Sequence, residues 1–250
     1  MREKIKASAI HLSISAFIIG IFYLFVLTVW YPSPYFQVSG LLSIMLMLVA
    51  IDLIIGPLLT FIVFKPKKPS LKFDLLVIAI IQMVALAYGA MAVYKGHPVY
   101  VAYTIDRFTL ISVGEADPAQ AKYNEFKVST YGKPKVVYAK MPEKGEERNN
   151  LMFSAISGGR DLEHHAEYYE PIDQYTNKIL ERSVAVDKIL AYPDSKKELE
   201  SFLEKQGKEA KEFAFLPLMG KEKVMLWALN RKDGKPVGVL DIDPWELGKS

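Results

Sequence analysis

The stretch IDLIIGPLLTFIVFKPKKPSLKFD, residues 51–74, determines how the rest of the chain is arranged. It places one carboxylate, Asp52, and the helix-breaking pair Gly56-Pro57 inside an apolar run, and it closes that run with a cluster of lysines. A carboxylate and a proline each carry a free-energy cost inside a lipid bilayer, whereas lysines mark the cytoplasmic side of a span. The stretch therefore indicates both a membrane span and its direction.

Three apolar runs occupy the first part of the chain, at residues 10–30, 41–64 and 75–94. About 20 apolar residues are enough to span the hydrocarbon core, whereas the apolar part of a signal peptide usually has about 7–15. The first run ends on Trp30-Tyr31 and is not followed by a small-residue cleavage site. We therefore expect it to be an uncleaved transmembrane helix, followed by two more.

Basic residues predict the orientation of the three spans. Lys and Arg are concentrated in residues 2–6 and 65–72, whereas the loop at residues 31–37 contains neither. Because cytoplasmic loops retain Lys and Arg, the N-terminus and the loop at residues 65–72 are predicted to be cytoplasmic. Residues 1–95 are thus predicted to form a three-span transmembrane region, and residues 96–250 a domain outside the cytoplasm.

Charge and cysteine content exclude several classes of protein. Residues 1–94 carry seven basic and three acidic side chains, a balance of +4, and the whole chain carries +3, which leaves −1 for the remainder. The domain after the spans therefore has no excess of basic residues, and no nucleic-acid partner is expected. A chain without cysteine forms no thiolate zinc site, iron–sulfur cluster or disulfide.

From His97 onward the pattern is that of a mixed α+β domain. β-branched and aromatic residues on both sides of Asp106-Arg107 predict a hairpin of two strands, at residues 99–105 and 108–113. Strands at both ends of this region with helices between them are typical of an α+β fold. Further strands are predicted at 126–130, 135–139, 212–218, 223–229 and 237–242, a turn at 231–235, and helices at 146–156, 168–190 and 195–206, the last ending at Gly207.

Asp52 is the first candidate functional residue, because it lies near the middle of the second span. A charged side chain at that depth costs roughly 2.5–3.5 kcal/mol on insertion scales, so Asp52 is expected to face protein and not lipid. Two interpretations follow. Asp52 either contacts a partner or belongs to a proton-linked site, or it is hydrogen-bonded within the bundle, with Gln82 or His11 as candidate partners.

Gly56, Pro57 and Gly89 are candidate packing or docking residues in the membrane. Pro57 has no N–H to donate to the carbonyl of Leu53, so a kink is predicted, with the freed carbonyl bonded by a neighbour or by Thr60. Such a kink can shape a groove for another helix or can serve packing within the bundle. Gly89 lies in a patch of small residues that permits close approach of a helix, from this chain or from a partner.

The sequence contains no recognisable catalytic or metal-binding constellation. His164-His165 lie among glutamates, but adjacent residues point in different directions and a second pair at i, i+4 is missing, so a solvated polar segment is expected. Asp241 and Asp243 are predicted to share one face of the last strand, without a histidine or metal motif beside them. We therefore expect no enzyme, no cofactor and no bound metal.

A set of motifs distributed along the chain resembles one known family. The matching residues are 4–12, 30–32, 52–60, 63–68, 70–75, Gln82, 87–89, Pro98-Val99, Asp106-Arg107 and 240–245. This set is similar to the type IV pilin accessory proteins of the TfpX/TfpZ group. The similarity covers essentially the whole chain, and the membrane half is its most specific part.

The resemblance implies an accessory protein of the bacterial inner membrane that supports the stability and surface assembly of a type IV major pilin. Its implied mechanism is chaperone-like, without catalytic residues. A prepilin has an apolar N-terminal helix in the inner membrane and a globular head in the periplasm. The membrane bundle, in contact with the lipid bilayer, is therefore expected to engage that helix, and the periplasmic domain to engage the head.

Two other classes of protein stay open at this point. One is a membrane-embedded enzyme that modifies pilin, and the other is a regulatory subunit of another envelope complex. The partner that co-purifies with the protein would distinguish these interpretations.

Overall fold

The computed structural model of the chain describes residues 1–127, 132–143 and 145–247. It divides into two compact units, which we call the membrane bundle and the C-terminal unit. The membrane bundle consists of Met1–Pro32 and Leu41–His97, and the C-terminal unit of Ser33–Gly40 and Pro98–Ser250. Compared with the predicted ranges 1–95 and 96–250, the units differ mainly in the segment Ser33–Gly40, which folds with the C-terminal half.

Within the described residues, three helical stretches are long and apolar enough to cross a membrane, namely Arg2–Trp30, Leu41–Val63 and Leu71–Gly96. We call them the first, second and third spans. The α-helices up to this point are α1 (Arg2–Phe25), α2 (Tyr35–Val38), α3 (Leu41–Val49), α4 (Gly56–Val63) and α5 (Leu71–Gly96), with wider π-helical turns at Val26–Trp30 and Ala50–Ile55.

The third span begins earlier than its apolar run predicts. Ser70 precedes its first turn, and Asp74 in that turn accepts hydrogen bonds from the Ser70 hydroxyl at 3.2 Å and the Lys68 ammonium at 2.5 Å. A carboxylate in the first turn is favourable because the helix dipole is positive there. The polar residues at the end of the lysine-rich loop are thereby part of the helix.

The C-terminal unit is built on a mixed sheet of seven strands within the described residues, in the order β4-β3-β1-β2-β5-β6-β7. The β1/β3 and β2/β5 pairs are parallel, and the other pairs are antiparallel. The strands are β1 (Pro98–Thr104), β2 (Arg107–Ser112), β3 (Lys135–Ala139), β4 (Tyr169–Pro171), β5 (Phe213–Met219), β6 (Val224–Asn230) and β7 (Pro236–Leu240). The helices are α6 (Glu146–Ile156), α7 (Thr176–Leu180), α8 (Val186–Leu190) and α9 (Pro193–Gln206). The predicted α+β class with a membrane bundle is confirmed.

One face of this sheet is covered partly by the segment that follows the first span. Tyr35 and Val38 of α2 pack in one hydrophobic cluster with Phe108 and Trp227 of the sheet and Ile179 of α7. Val38 is fully buried, and burial raises the pKa of Tyr35 to about 12. The segment between the first two spans is therefore part of the core of the C-terminal unit.

The opposite face is covered by α8 and α9 at one end of the sheet. Ile189 and Phe202 from these helices pack against Phe213 and Phe215 of β5. Because both faces are covered, strands such as β1 and β5 are buried along nearly their whole length instead of showing an alternating pattern. α9 ends at Gly207, whose φ of 61° is the left-handed conformation common at helix C-termini.

The prediction of one helix over residues 168–190 is wrong. Residues 169–171 instead form β4, an edge strand in which Pro171 is tolerated. Farther along, the Val184 N–H donates to the Phe215 carbonyl at 2.8 Å, and the Ser183 hydroxyl accepts from the Phe215 N–H at 2.9 Å. These bonds to β5 interrupt the helical pattern between α7 and α8, which local sequence does not reveal.

Two strand predictions also need correction. Phe126 lies in a 3₁₀ turn (Asn124–Phe126) and not in a strand, while residues 128–130 of the predicted strand lie outside the described residues. The last strand ends at Leu240, before Asp241 and Asp243. The hairpin of β1 and β2, the strand at 135–139 and the helix at 146–156 are confirmed.

Candidate functional site

A groove runs along the membrane bundle between the first and third spans. The second span packs against both of the others, and the groove opens where the first and third spans flank it, with a volume of about 510 Å³. We call it the membrane groove. Its walls are largely aliphatic, including Ile14 and Ile18 from α1 and Met83 and Leu86 from α5. Asp52 and Thr60 of the second span also line the groove, together with Gln82 of α5.

Asp52 lies in the membrane groove with 5% of its surface exposed. Its Oδ1 atom accepts a hydrogen bond from the Gln82 side-chain amide at 3.1 Å. Its Oδ2 atom is buried and has no hydrogen-bond partner within the described residues. Of the two partners predicted for Asp52 inside the bundle, the structure therefore gives Gln82, and it leaves half of the carboxyl group unsatisfied.

The helix break at Gly56-Pro57 takes the form of a wider turn. Residues Ala50–Ile55 are π-helical, and the Gly56 N–H donates to the carbonyl of Ile51, five residues back. In that i→i+5 pattern, the carbonyl facing the missing N–H of Pro57 is that of Asp52. The Gln82 amide lies 3.5 Å from this carbonyl and supplies a donor in place of the proline. A neighbouring helix, and not Thr60, thus serves the freed carbonyl.

The two glycines among the predicted residues permit close approach of neighbouring side chains. A Cβ at Gly56 would overlap the Gln82 amide, so the absence of a side chain there allows Gln82 to reach Asp52. A Cβ at Gly89 would overlap the Leu48 side chain of the second span. Gly89 is buried against its own bundle, which places it at an internal helix contact. The structure thereby brings Asp52, Gly56, Pro57 and Gln82 together and leaves Gly89 apart from them.

A polar stripe on α1 contacts the second span, and of its residues only His11 was predicted from the sequence to have a role, as a candidate partner of Asp52. The Ser8 hydroxyl donates to the Pro57 carbonyl at 2.8 Å, and His11 Nδ1 pairs with the Thr60 hydroxyl at 2.5 Å. Ser15, on the same face, is buried and lines the membrane groove. The spacing of these polar residues, i, i+3 and i+7, is the signal that could have identified this face from the sequence.

The segment around His164-His165 is less solvated than predicted. Glu163 is 4% exposed, and its carboxylate lies 3.4 Å from the Thr109 hydroxyl. His165 Nδ1 pairs with Glu167 at 3.1 Å, while His164 Nδ1 and His165 Nε2 are buried without a partner among the described residues. Across the described part of the chain, no group of three or more His, Cys, Asp or Glu side chains could hold a metal ion. The segment is a packed turn of the C-terminal unit.

Asp241 and Asp243 do not share a strand face, because both follow the end of β7. Asp241 forms an ion pair with Lys223 at 2.6 Å, and Asp243 accepts the backbone N–H of Trp245 at 2.8 Å. The first carboxylate thus has a surface partner, and the second stabilises the turn at Pro244-Trp245.

The Glu115 carboxylate has several hydrogen-bond partners in the C-terminal unit. It accepts the Ser112 N–H at 3.0 Å and the Ser112 hydroxyl at 2.8 Å, and it pairs with Lys221 at 3.1 Å. Burial alone would raise its pKa, but the hydrogen bonds and the lysine favour the charged form and together hold the pKa below its usual range. This cluster ties the end of β2 to the turn between β5 and β6.

The fold and the groove define a class of protein: a membrane protein with three apolar helices and a folded α+β unit. Comparison with known proteins identifies the family. The profile of the fimbrial assembly protein FimB family matches residues 1–40. The chain is 25% identical over 248 residues to the fimbrial assembly protein of serogroup I of Dichelobacter nodosus, covering 97% of this chain and 96% of that relative.

A second relative is more similar over a shorter region. The fimbrial assembly protein of serogroups C1 and C2 of Dichelobacter nodosus is 33% identical over 112 residues, which cover 44% of this chain and 86% of that relative. No solved structure matches the chain. The chain belongs to the family of fimbrial assembly proteins, and the expected membership of a type IV pilus accessory family is confirmed.

Proposed function

We propose that this protein acts in pilus assembly by binding and stabilising a cognate type IV major pilin at the bacterial inner membrane. The observation that carries the proposal is the similarity to a fimbrial assembly protein over 97% of the chain. Because that similarity includes the membrane bundle and the C-terminal unit, both are proposed to serve the same function. The protein acts as an accessory factor and not as an enzyme.

The two units divide the task between the two parts of a pilin. The membrane bundle offers a groove of about 510 Å³ with largely aliphatic walls, which suits an apolar transmembrane helix. The C-terminal unit is a folded α+β domain with covered sheet faces, and its surface is proposed to contact the head of the pilin. This division matches the expected form of the prepilin, an apolar helix followed by a globular head.

The proposed orientation has the N-terminus in the cytoplasm and the C-terminal unit in the periplasm. It is supported by the folding of Ser33–Gly40 with the residues after Pro98, because the parts of one folded unit must lie in one compartment. The loops on the other side of the membrane carry the lysines and the arginine that precede and connect the spans. Cytoplasmic loops are the ones that retain such residues.

Co-purification tests the proposal. Full-length protein carrying an affinity tag is extracted in mild detergent from cells that produce the pilin, and the bound proteins are identified by mass spectrometry. We expect the major pilin to be enriched, and we expect its cellular level to fall when the gene for this protein is deleted. Recovery of another envelope complex without pilin would contradict the proposal.

The intact mass of pilin distinguishes an accessory factor from an enzyme. Pilin is purified from cells with and without this protein, and its mass is compared. An accessory factor leaves the mass of pilin unchanged, whereas a modifying enzyme shifts it by the mass of the group transferred.

An exchange of units tests where pilin specificity resides. Ser33–Gly40 must be exchanged together with residues 98–250, because Tyr35 and Val38 belong to the core of the C-terminal unit. Between two relatives with different pilins, this exchange is expected to transfer pilin specificity. Specificity that follows the spans instead would assign recognition to the membrane bundle.

A further inference from the structure

The polar part of the membrane groove differs from its lipid-like walls. Ile14, Ile18 and Met83 are 55%, 46% and 69% exposed, which is the usual state of aliphatic side chains that face lipid. Asp52 also lines the groove, but only 5% of its surface is exposed. Its Oδ2 atom is buried behind that lining and has no hydrogen-bond partner in the described part of the chain. A buried oxygen of this kind is costly in a bilayer, where water cannot supply a donor.

The polar side chains around Asp52 already form hydrogen bonds to atoms other than Oδ2. The Gln82 amide is directed to Asp52 Oδ1 and to the Asp52 carbonyl. The Thr60 hydroxyl pairs with His11, and the Ser8 hydroxyl donates to the Pro57 carbonyl. Each of these bonds joins two spans of the same bundle. Within the described residues, Oδ2 is therefore an unsatisfied hydrogen-bond acceptor near the middle of the second span.

We infer that the membrane groove binds one apolar transmembrane helix of a pilus subunit, and that this helix presents a hydrogen-bond donor to Asp52 Oδ2. The inference deepens the proposed function and rests on it, since it names the surface and the chemistry of recognition. The occupant is apolar because the walls are aliphatic, and it is a helix because a chain in lipid must satisfy its own backbone. Its donor lies near mid-membrane, at the depth of Asp52.

Site-specific photocrosslinking in the full-length protein tests the surface. A photoreactive residue is placed at Ile14 or Met83, which line the membrane groove. The matched controls are Phe17 and Val84, which are 69% and 64% exposed on the same helices but lie outside the groove lining. Cells producing the pilus subunit are irradiated, and crosslinked products are identified by mass. We expect adducts with the membrane helix of the subunit at Ile14 and Met83, at least fivefold above those at Phe17 and Val84.

The chemistry is tested by Asp52→Asn in the same crosslinking assay. The amide keeps the size of the side chain and an oxygen for Gln82, but it turns an NH₂ group toward the partner, so that two donors meet. Polar contacts between membrane helices are modest, and we expect crosslinking at Ile14 and Met83 to fall roughly three- to tenfold. Unchanged crosslinking with Asp52→Asn would overturn the role of the carboxylate.

A second pair of variants keeps the test independent of Asp52. Ala79→Trp places a large side chain in the membrane groove and is therefore expected to abolish crosslinking at Ile14. Ile80→Trp, at a position that is 51% exposed outside the groove lining, is expected to leave it unchanged. Equal effects of the two variants would overturn the assignment of the groove.

The outcomes separate this inference from the proposed function. If the pilus subunit co-purifies but crosslinks at Phe17 and Val84 as strongly as in the groove, the proposed function holds and the inference fails. Adducts with lipid alone, or with a second copy of this chain, at Ile14 and Met83 would also overturn the inference. If no pilus subunit co-purifies at all, the proposed function itself fails.

Discussion

The side-chain amide of Gln82 bonds to both the side chain and the backbone carbonyl of Asp52 in the membrane bundle. Its Nε2 atom is 3.1 Å from Asp52 Oδ1 and 3.5 Å from the Asp52 carbonyl, the group that Pro57 leaves without a donor. Gly56 provides the space for this approach. Asp52, Pro57 and Gly56 look unrelated in the sequence, but all three are accommodated through contacts with Gln82 of another helix.

A double-mutant cycle at Asp52 and Gln82 measures this dependence. We expect the coupling free energy between Asp52→Leu and Gln82→Leu to be about 0.6 kcal/mol and at most about 1.7 kcal/mol, because polar contacts between membrane helices are of that size. The double variant should therefore be more stable than the sum of the single effects predicts. The measurement is the free energy of unfolding of the full-length protein in detergent, and additive effects would contradict the contact.

Glu115 provides a prediction for pH dependence in the C-terminal unit. Its pKa is lower in the folded protein than in the unfolded chain, so its contribution to stability is present above the unfolded pKa and is lost as pH falls through the folded pKa. We expect Glu115→Gln to lower the free energy of unfolding by about 1 kcal/mol at neutral pH, since hydrogen bonds to Ser112 are weakened.

The difference between Glu115→Gln and the unchanged protein should shrink as the pH is lowered below about 4.3, the usual pKa of glutamate. The measurement is denaturant unfolding at several pH values. Glu200→Gln is a suitable control, because its pair with Lys196 is exposed and is expected to contribute at most a few tenths of a kcal/mol. A constant difference at all pH values would show that the charge of Glu115 is not involved.

At the scale of elements, the second span is two helices joined by a wider turn. α3 and α4 are separated by the π-helical residues Ala50–Ile55, which bring Asp52 into the bundle beside Pro57. Such turns place an extra residue in a helix and often occur at functional sites. Here the turn presents a buried carboxylate to the membrane groove.

The contact between the second and third spans depends on Gly89. A Cβ there would overlap Leu48, which is 1% exposed and has little freedom to move. We expect Gly89→Ala to lower the free energy of unfolding by roughly 1–3 kcal/mol, the usual effect of overpacking. Gly20→Ala in the first span is the matched control, because a Cβ there meets nothing within 4 Å.

The comparison of Gly89→Ala with Gly20→Ala is made by thermal or denaturant unfolding in detergent. Gly20→Ala should be neutral or slightly stabilising, because alanine favours the helix over glycine. Equal destabilisation by the two substitutions would mean that the effect comes from the helix backbone and not from the contact with Leu48.

At the scale of the whole molecule, the C-terminal unit is formed from two distant parts of the sequence. Ser33–Gly40 supplies Tyr35 and Val38 to the core that residues after Pro98 build. The backbone of Val38 lies so close to Gly220 that a Cβ at Gly220 would overlap its carbonyl. We therefore propose that the end of the first span and the end of the third lie on the same side of the membrane.

Labelling of introduced cysteines tests this topology, and it is simplified by the absence of natural cysteine. We expect a membrane-impermeant maleimide to label Gln37→Cys and Asp233→Cys in intact spheroplasts, because both positions are exposed in the C-terminal unit. Lys65→Cys, exposed in the lysine-rich loop, should be labelled after permeabilisation. Labelling of Gln37→Cys and Asp233→Cys from opposite sides would contradict the shared unit.

Much of the architecture follows from local patterns in the sequence. The lengths of the apolar runs predict the three spans, and β-branched and aromatic residues on both sides of Asp106-Arg107 predict the hairpin of β1 and β2. The helix α6 is also predicted from its local sequence. These features depend on neighbours in sequence, which is why they can be read in order. The helix predicted over residues 168–190 failed because its breaks are set by distant strands. Residues 169–171 pair with β3, and residues 183–184 bond to β5.

The sequence by itself determined that Asp52 and Pro57 are costly in a bilayer and need partners, and it named Gln82 among the candidates. Tertiary structure decided that Gln82 bonds to both the Asp52 side chain and the Asp52 carbonyl, and that Thr60 pairs with His11. It also decided that the buried Asp52 Oδ2 finds no hydrogen-bond partner among the residues that the structure describes. It also decided that α2 belongs to the C-terminal unit. The physical reason is that the free-energy cost of burying a polar group depends on the type of residue, which the sequence gives. The group that offsets this cost comes from a distant segment, and only tertiary packing decides which segment that is.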